Sequence, residues 1–157
     1  MNLAPVTPDY VQTVALAMRE RDLAEFAAVS PTDDRESLAW LLRDRYGRRN
    51  GMLCACDAAG EPVAVGGAVL IRPAVATLLF FATYAFPKIA LPMTRFIRRH
   101  YFPSLAAEGV HRIECVSMAG YGDMHRWLET LGMQREGVFR AYGKGREDFV
   151  QYAWVDQ

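Results

Sequence analysis

The sequence predicts an α+β fold, a mixed and mostly antiparallel sheet with helices on both faces. Three observations predict it. Strand-like and helix-like segments follow one another as strand, two helices, three strands, helix, strand, helix, two strands. The chain has 157 residues, 52% of them hydrophobic, which is one domain's length (1–157) with a sizeable core. The longest helical stretch lies between two strands, as the crossover connection of a parallel pair requires.

The elements are justified in turn. Leu3–Val6 is a short strand. Thr7 followed by Pro8 and Asp9 is a strong helix start, and Val11, Val14, Ala15 and Met18 then recur at helical spacing. Asp22–Val29 reads as a short helix or a turn. Asp33 with Glu36 forms a capping box for a second helix, whose one face carries Leu38, Leu41, Leu42 and Tyr46. Met52–Cys56 and Val63–Ile71 are strands joined by a hairpin loop over residues 57–62. Val75–Tyr84 is a third strand, and its apolar run Leu78, Leu79, Phe80, Phe81 predicts burial on both faces. The following helical stretch turns Ile89, Met93, Phe96, Ile97, Tyr101 and Leu105 inward, with interruptions at Pro92 and Pro103. His111–Ser117 alternates as a strand, Asp123 caps a short helix running to Leu131, and Gly132 ends it. Gln134–Ala141 and Asp148–Val155 form the last two strands, joined by a turn at Gly143-Lys144-Gly145.

Composition removes several classes of function. Lys+Arg and Asp+Glu balance at 18 each, so the whole chain lacks a nucleic-acid binder's positive field, and no nucleic acid is expected as a partner. The charge-free apolar stretch Ala74–Phe86 is too short to span a membrane, and the N-terminus lacks a signal peptide's pattern. Cys54, Cys56 and Cys115 are too few for a disulfide framework. Cys54 and Cys56 share a strand face and read as core, and no metal site is expected from them or from the scattered His100, His111 and His125. Gly143-Lys144-Gly145 has no following Ser/Thr or helix, which leaves a hairpin turn rather than a phosphate loop.

The element order, with the segment His125–Arg140 (HRWLETLGMQREGVFR), resembles the GNAT superfamily of acyl-CoA-dependent N-acyltransferases, in which a helix ending in Leu-Gly-Phe leads into a strand carrying Glu-Gly. Ala17–Glu25 (AMRERDLAE) is similar to the opening of GNAT-like virion and morphogenesis proteins of tailed bacteriophages. The resemblance implies the GNAT fold, acetyl-CoA as cofactor and an amine as substrate. It also implies a pyrophosphate-binding turn patterned Gln/Arg-x-x-Gly-x-Gly/Ala after the central strand.

The residues at that turn depart from the pattern. Tyr84–Met93 contains no glycine, and its two prolines, Pro87 and Pro92, each remove an N–H donor that a phosphate would use. Lys88, Arg95, Arg98 and Arg99 are the cations that could supply charge instead. The resemblance implies a catalytic tyrosine four residues before Gly132, where this chain has Leu128 with Trp127 beside it. Where the family has an asparagine, this chain has Tyr121. Glu114 is the one carboxylate near enough to serve as base, and it reads as an exposed strand residue.

The expectation is therefore a single GNAT-like domain without catalytic, cofactor-binding or metal-binding residues, acting as a structural or interaction protein. Its partners would be other virion or assembly proteins, in the virion or host cytoplasm, with a homo-oligomeric or multi-copy arrangement open. Arg95, Arg98 and Arg99 are the partner-binding candidates. The alternative is an acyl-CoA-dependent N-acetyltransferase whose cofactor loop is atypical, with acetyl-CoA bound.

Overall fold

The computed structural model describes residues 1–157. Seven strands hydrogen-bond in the order β1-β2-β3-β4-β5-β7-β6: β1 Asn2–Pro5, β2 Met52–Cys56, β3 Pro62–Arg72, β4 Val75–Ala82, β5 Arg112–Met118, β6 Gln134–Phe139 and β7 Phe149–Val155. The α-helices are α1 Pro8–Leu16, α2 Glu20–Ala28, α3 Arg35–Tyr46, α4 Ala90–Phe96, α5 Phe102–Ala107 and α6 Gly122–Thr130. Two compact units arise, one of Met1–Gly67 with Leu79–Leu91, the other of Ala68–Leu78 with Pro92–Gln157.

In the first unit, β1 and β3 flank β2 in antiparallel register, Cys54 facing Ala4 on one side and Val65 on the other. Thr7 caps α1 by accepting the Tyr10 N–H at 3.1 Å, with Pro8 at the first helical position. The cap of α3 is Asp34, whose Oδ1 accepts the Ser37 N–H at 2.8 Å. The capping box predicted at Asp33 is replaced by a simple cap one residue on, because Asp34 holds the extended backbone that an N-cap needs. Val11, Val14, Leu38 and Leu42 from the helices are buried, as are Met52, Val65 and Phe81 from the strands; Met18, predicted on the first helix, lies beyond its end and is buried too. Cys54 and Cys56 are core residues as the sequence predicts, and burial pushes the Cys54 thiol up to about 12, with Cys56 adding to the shift. The apolar run of β4 is less enclosed than its sequence suggests: Phe81 is buried, but Leu78, Leu79 and Phe80 are half-buried.

In the second unit, β4 and β5 run parallel through Val75↔Arg112, Ala76↔Ile113 and Thr77↔Glu114. β5 pairs antiparallel with β7 along its whole length, and β7 with β6. The stretch predicted as one broken helix is a 3₁₀ turn (Phe86–Lys88), α4, a π-helical turn (Ile97–Tyr101) and α5. Pro92 does not interrupt, because it sits in the first turn of α4, where an N–H has no intrahelical partner. Pro103 follows the wide turn, which spares its missing N–H and its ring an α-helical neighbour. With the extra residue in that turn, Phe102 rather than Tyr101 is the deeply buried ring. Tyr101 keeps its hydroxyl oxygen as acceptor for the Ala68 N–H, at 2.6 Å.

Candidate functional site

The turn after β4 is where an anion-binding amide cradle would form. Its donors are already engaged within the turn. Ala85 N–H donates to Thr83 Oγ1 and Phe86 N–H to the Thr83 carbonyl. Lys88 and Ile89 donate to the Ala85 and Phe86 carbonyls at 3.0 and 2.9 Å, and Pro87 has no N–H. Phe86 and Ile89 point their side chains into the core, while Lys88 is exposed. No amide from Ala85 to Ile89 is left to receive a phosphate. On the helical stretch that follows, Arg95, Arg98 and Arg99 are exposed and no ion pair holds them.

α6 starts two residues earlier than predicted. Its N-cap is Tyr121, which makes no side-chain cap, and Asp123 lies inside the first turn, accepting the Met124 N–H. Leu128 is 3% exposed. Trp127 is half-buried and donates its indole N–H to Thr94 Oγ1 at 3.0 Å, which ties α6 to α4. Position 128 is thus a packing site.

His125, passed over in the sequence as one of three scattered histidines, lies on the same helix. Its Nε2 is 3.1 Å from the Met118 carbonyl, so that nitrogen carries the proton, and its ring packs 5.4 Å from that of Tyr152. Tyr152 in turn donates to Glu129 Oε1. Burial holds the imidazole below its usual 6.5. Between the folded value and 6.5 the unfolded chain binds a proton that the folded chain does not, so stability falls as pH drops through that window. Urea unfolding across about pH 5 to 8 should show this loss, and His125→Gln should flatten it. An unchanged slope in the variant would assign it to other groups.

Glu114 is not the exposed strand residue that the sequence predicts. It is held at 2.6 Å by Arg112 Nε and approached at 3.6 Å by Arg72. Arg112 also donates to both carboxylate oxygens of Glu136, which holds that carboxyl below its ordinary range. Both carboxylate oxygens of Glu114 are thus held in ion pairs, Oε2 with Arg112 and Oε1 with Arg72.

The segment Ala17–Glu25 has a structural explanation. Met18 is buried and forms a bridge with Thr83 beyond β4. Arg19 N–H donates to the Ala82 carbonyl at 2.9 Å, and Ala82 N–H donates to Asp22 Oδ2 at 2.9 Å. Asp22 also accepts from Arg19 Nε and Nη2, at 3.0 and 3.1 Å, with both side chains buried. Burial pushes the Asp22 carboxyl up, while Arg19 and the Ala82 N–H pull it back. The motif thus fastens the start of α2 to the end of β4.

No family model and no curated protein matches the sequence. Solved structures do match, over nearly the whole chain. A GNAT superfamily phosphinothricin acetyltransferase from Sinorhizobium meliloti, in complex with AcCoA, is 14% identical with a TM-score of 0.72, covering 98% of this chain and 87% of its own. The fold is that of the GNAT acetyltransferases. A ribosomal-protein-alanine N-acetyltransferase from Brucella melitensis shares it at 16% identity and a TM-score of 0.70, covering 99% and 100% of the two chains. The ribosomal-protein-S18-alanine N-acetyltransferase from Escherichia coli shares it at 16% and 0.68, covering 98% and 92%. These matches agree with the GNAT resemblance of His125–Arg140 and give no support to the virion-protein resemblance of Ala17–Glu25. In this chain the N–H groups of Ala85, Phe86, Lys88 and Ile89 are engaged within the turn after β4, and position 128 is a leucine.

Proposed function

We propose that this chain is an N-acyltransferase that moves an acyl group from acyl-CoA to an amine. What supports the reading is the chain-long likeness of its fold to acetyltransferases, one of them in complex with AcCoA. In the reaction the amine nitrogen attacks the thioester carbonyl carbon, an amide bond forms, the C–S bond breaks, and the proton shed by nitrogen ends on the departing thiolate. With the turn amides occupied, the phosphate charge falls to the exposed guanidiniums of Arg95, Arg98 and Arg99, which neutralise anions as side chains rather than as a backbone nest. With Leu128 in place of a tyrosine, the thiolate takes its proton from solvent.

Acetyl-CoA a hundredfold above its dissociation constant should stabilise the protein by about 2.7 kcal/mol, a melting shift of several degrees that adenine alone does not give. Replacing Arg95, Arg98 and Arg99 by glutamine should remove most of it. A melting temperature that millimolar acetyl-CoA leaves unmoved would overturn the proposal.

A second reading is favoured by one observation, the internal engagement of every amide from Ala85 to Ile89. In it the GNAT fold is retained without its cofactor, and the chain is a component of a larger assembly. Arg95, Arg98 and Arg99 then contact carboxylates of a partner protein. The same titration separates the two readings.

A further inference from the structure

β6 ends the strand order, so one of its edges faces no other strand. The direction of its backbone follows from its neighbour. Ala119 N–H donates to the Asp148 carbonyl and Asp156 N–H to the His111 carbonyl, so even-numbered residues of β7 bond toward β5. Phe149 and Gln151 therefore bond toward their β6 partners, Phe139 and Gly137. Val138, between those two, points its N–H and carbonyl away from the sheet, and nothing in the chain receives them. Native edge strands are commonly blunted by proline or lysine. β6 has neither, and past the irregularity between Arg135 and Gly137 its edge is apolar and open. Val138 is 44% exposed, Phe139 38% and Tyr142 47%. The Tyr142 ring lies 5.5 Å from that of Phe139 and 5.1 Å from that of Phe149, which carries the apolar strip around the end of the hairpin.

The segment Glu136–Arg140 (EGVFR) is complementary to itself run backwards. When two copies pair antiparallel about a two-fold axis at Val138, the outward N–H of each Val138 donates to the Val138 carbonyl of the other. The same register sets Gly137 opposite Phe139, twice. Gly137 has open space where a Cβ would stand, and the ring of the second copy covers it. It also sets Glu136 opposite Arg140, twice, and Arg140 is exposed with no ion pair in its own chain. An axis at Glu136 or Arg140 would oppose like charges, and one at Gly137 or Phe139 would set Val138 against a charged residue. Val138 is the matched centre.

We propose that β6 is the contact strand of a two-fold homodimer, in which the sheets of two copies join edge to edge at Val138. The dimer does not depend on acyl transfer and would persist if that reading failed. Sedimentation equilibrium of the full chain at micromolar concentrations tests it, with a dimer as the expected species. Val138→Pro removes the outward N–H at a position where an edge strand tolerates proline, and should leave a folded monomer. Arg140→Glu, at an exposed residue without a partner, should raise the dissociation constant about tenfold or more by opposing Glu136. Val138→Cys should cross-link two copies under mild oxidation, because hydrogen-bonded partners stand about 5.5 Å apart at Cα. Arg135→Cys should not. A monomer at every concentration, or a dimer that Val138→Pro and Arg140→Glu leave intact, would overturn the proposal. So would cross-linking through Arg135→Cys in place of Val138→Cys.

Discussion

Asp22→Ala is expected to destabilise the protein by about 3–5 kcal/mol, the largest effect of any single substitution considered. The variant strands two groups at once. Arg19 keeps its charge but loses the acceptor for Nε and Nη2, and the Ala82 N–H at the end of β4 loses its partner. Both are buried, so water does not replace the carboxylate. The upward push that burial gives the Asp22 carboxyl carries a second expectation. Desolvation there outweighs the attraction of Arg19, so removing both charges should cost far less than removing one. The double variant Arg19→Met/Asp22→Leu should therefore recover most of what Asp22→Ala loses. Urea unfolding of the three proteins measures this. A single variant within about 1 kcal/mol of the parent, or a double variant worse than the single, would refute the account.

Leu128→Ala should cost about 2–5 kcal/mol. Leu128 sits four residues before Gly132, whose φ of 93° closes α6. The Gly132 N–H bonds the Glu129 carbonyl at 2.9 Å and the Met133 N–H bonds that of Leu128 at 3.1 Å, the double bond of a Schellman ending. Such an ending brings together apolar side chains at the positions of Leu128 and Met133, and both are buried, as is Leu131 between them. Truncating Leu128 opens a cavity at the point where the helix hands the chain to β6. Thermal and urea unfolding would show the loss. Parental stability in Leu128→Ala would mean that the side chain lines an open groove instead.

The fold was legible because its signals are local and redundant. Thr7-Pro8, the alternation through β5, the paired cysteines of β2 and the Gly132 stop each fix an element without help from the rest. The misreadings share a cause: tertiary partners chose between equivalent local options. Asp33 and Asp34 are both good caps, and backbone geometry selected the second. Glu114 alternates like a solvent-facing residue, but Arg112, two residues away, and Arg72 on β3 enclose it. The two prolines of the turn after β4 were visible in the sequence, although the engagement of the neighbouring amides was not. Arg19 and Asp22 stood in plain view as part of a motif. Nothing in a nine-residue segment reveals that both side chains are buried, since the residues that cover them, Ala82 and Phe86, lie some sixty positions away.

The π-helical turn at Ile97–Tyr101 bears on how this chain is compared with others. In a regular α-helix, core positions four apart stay on one face. In this chain the buried residues are Met93, Ile97 and Phe102, spaced four and then five. A homologue whose helix is α throughout must therefore be aligned with a one-residue gap inside 98–101. Without the gap, every position beyond it is matched about 100° around the helix, so buried residues are set against solvent-facing ones.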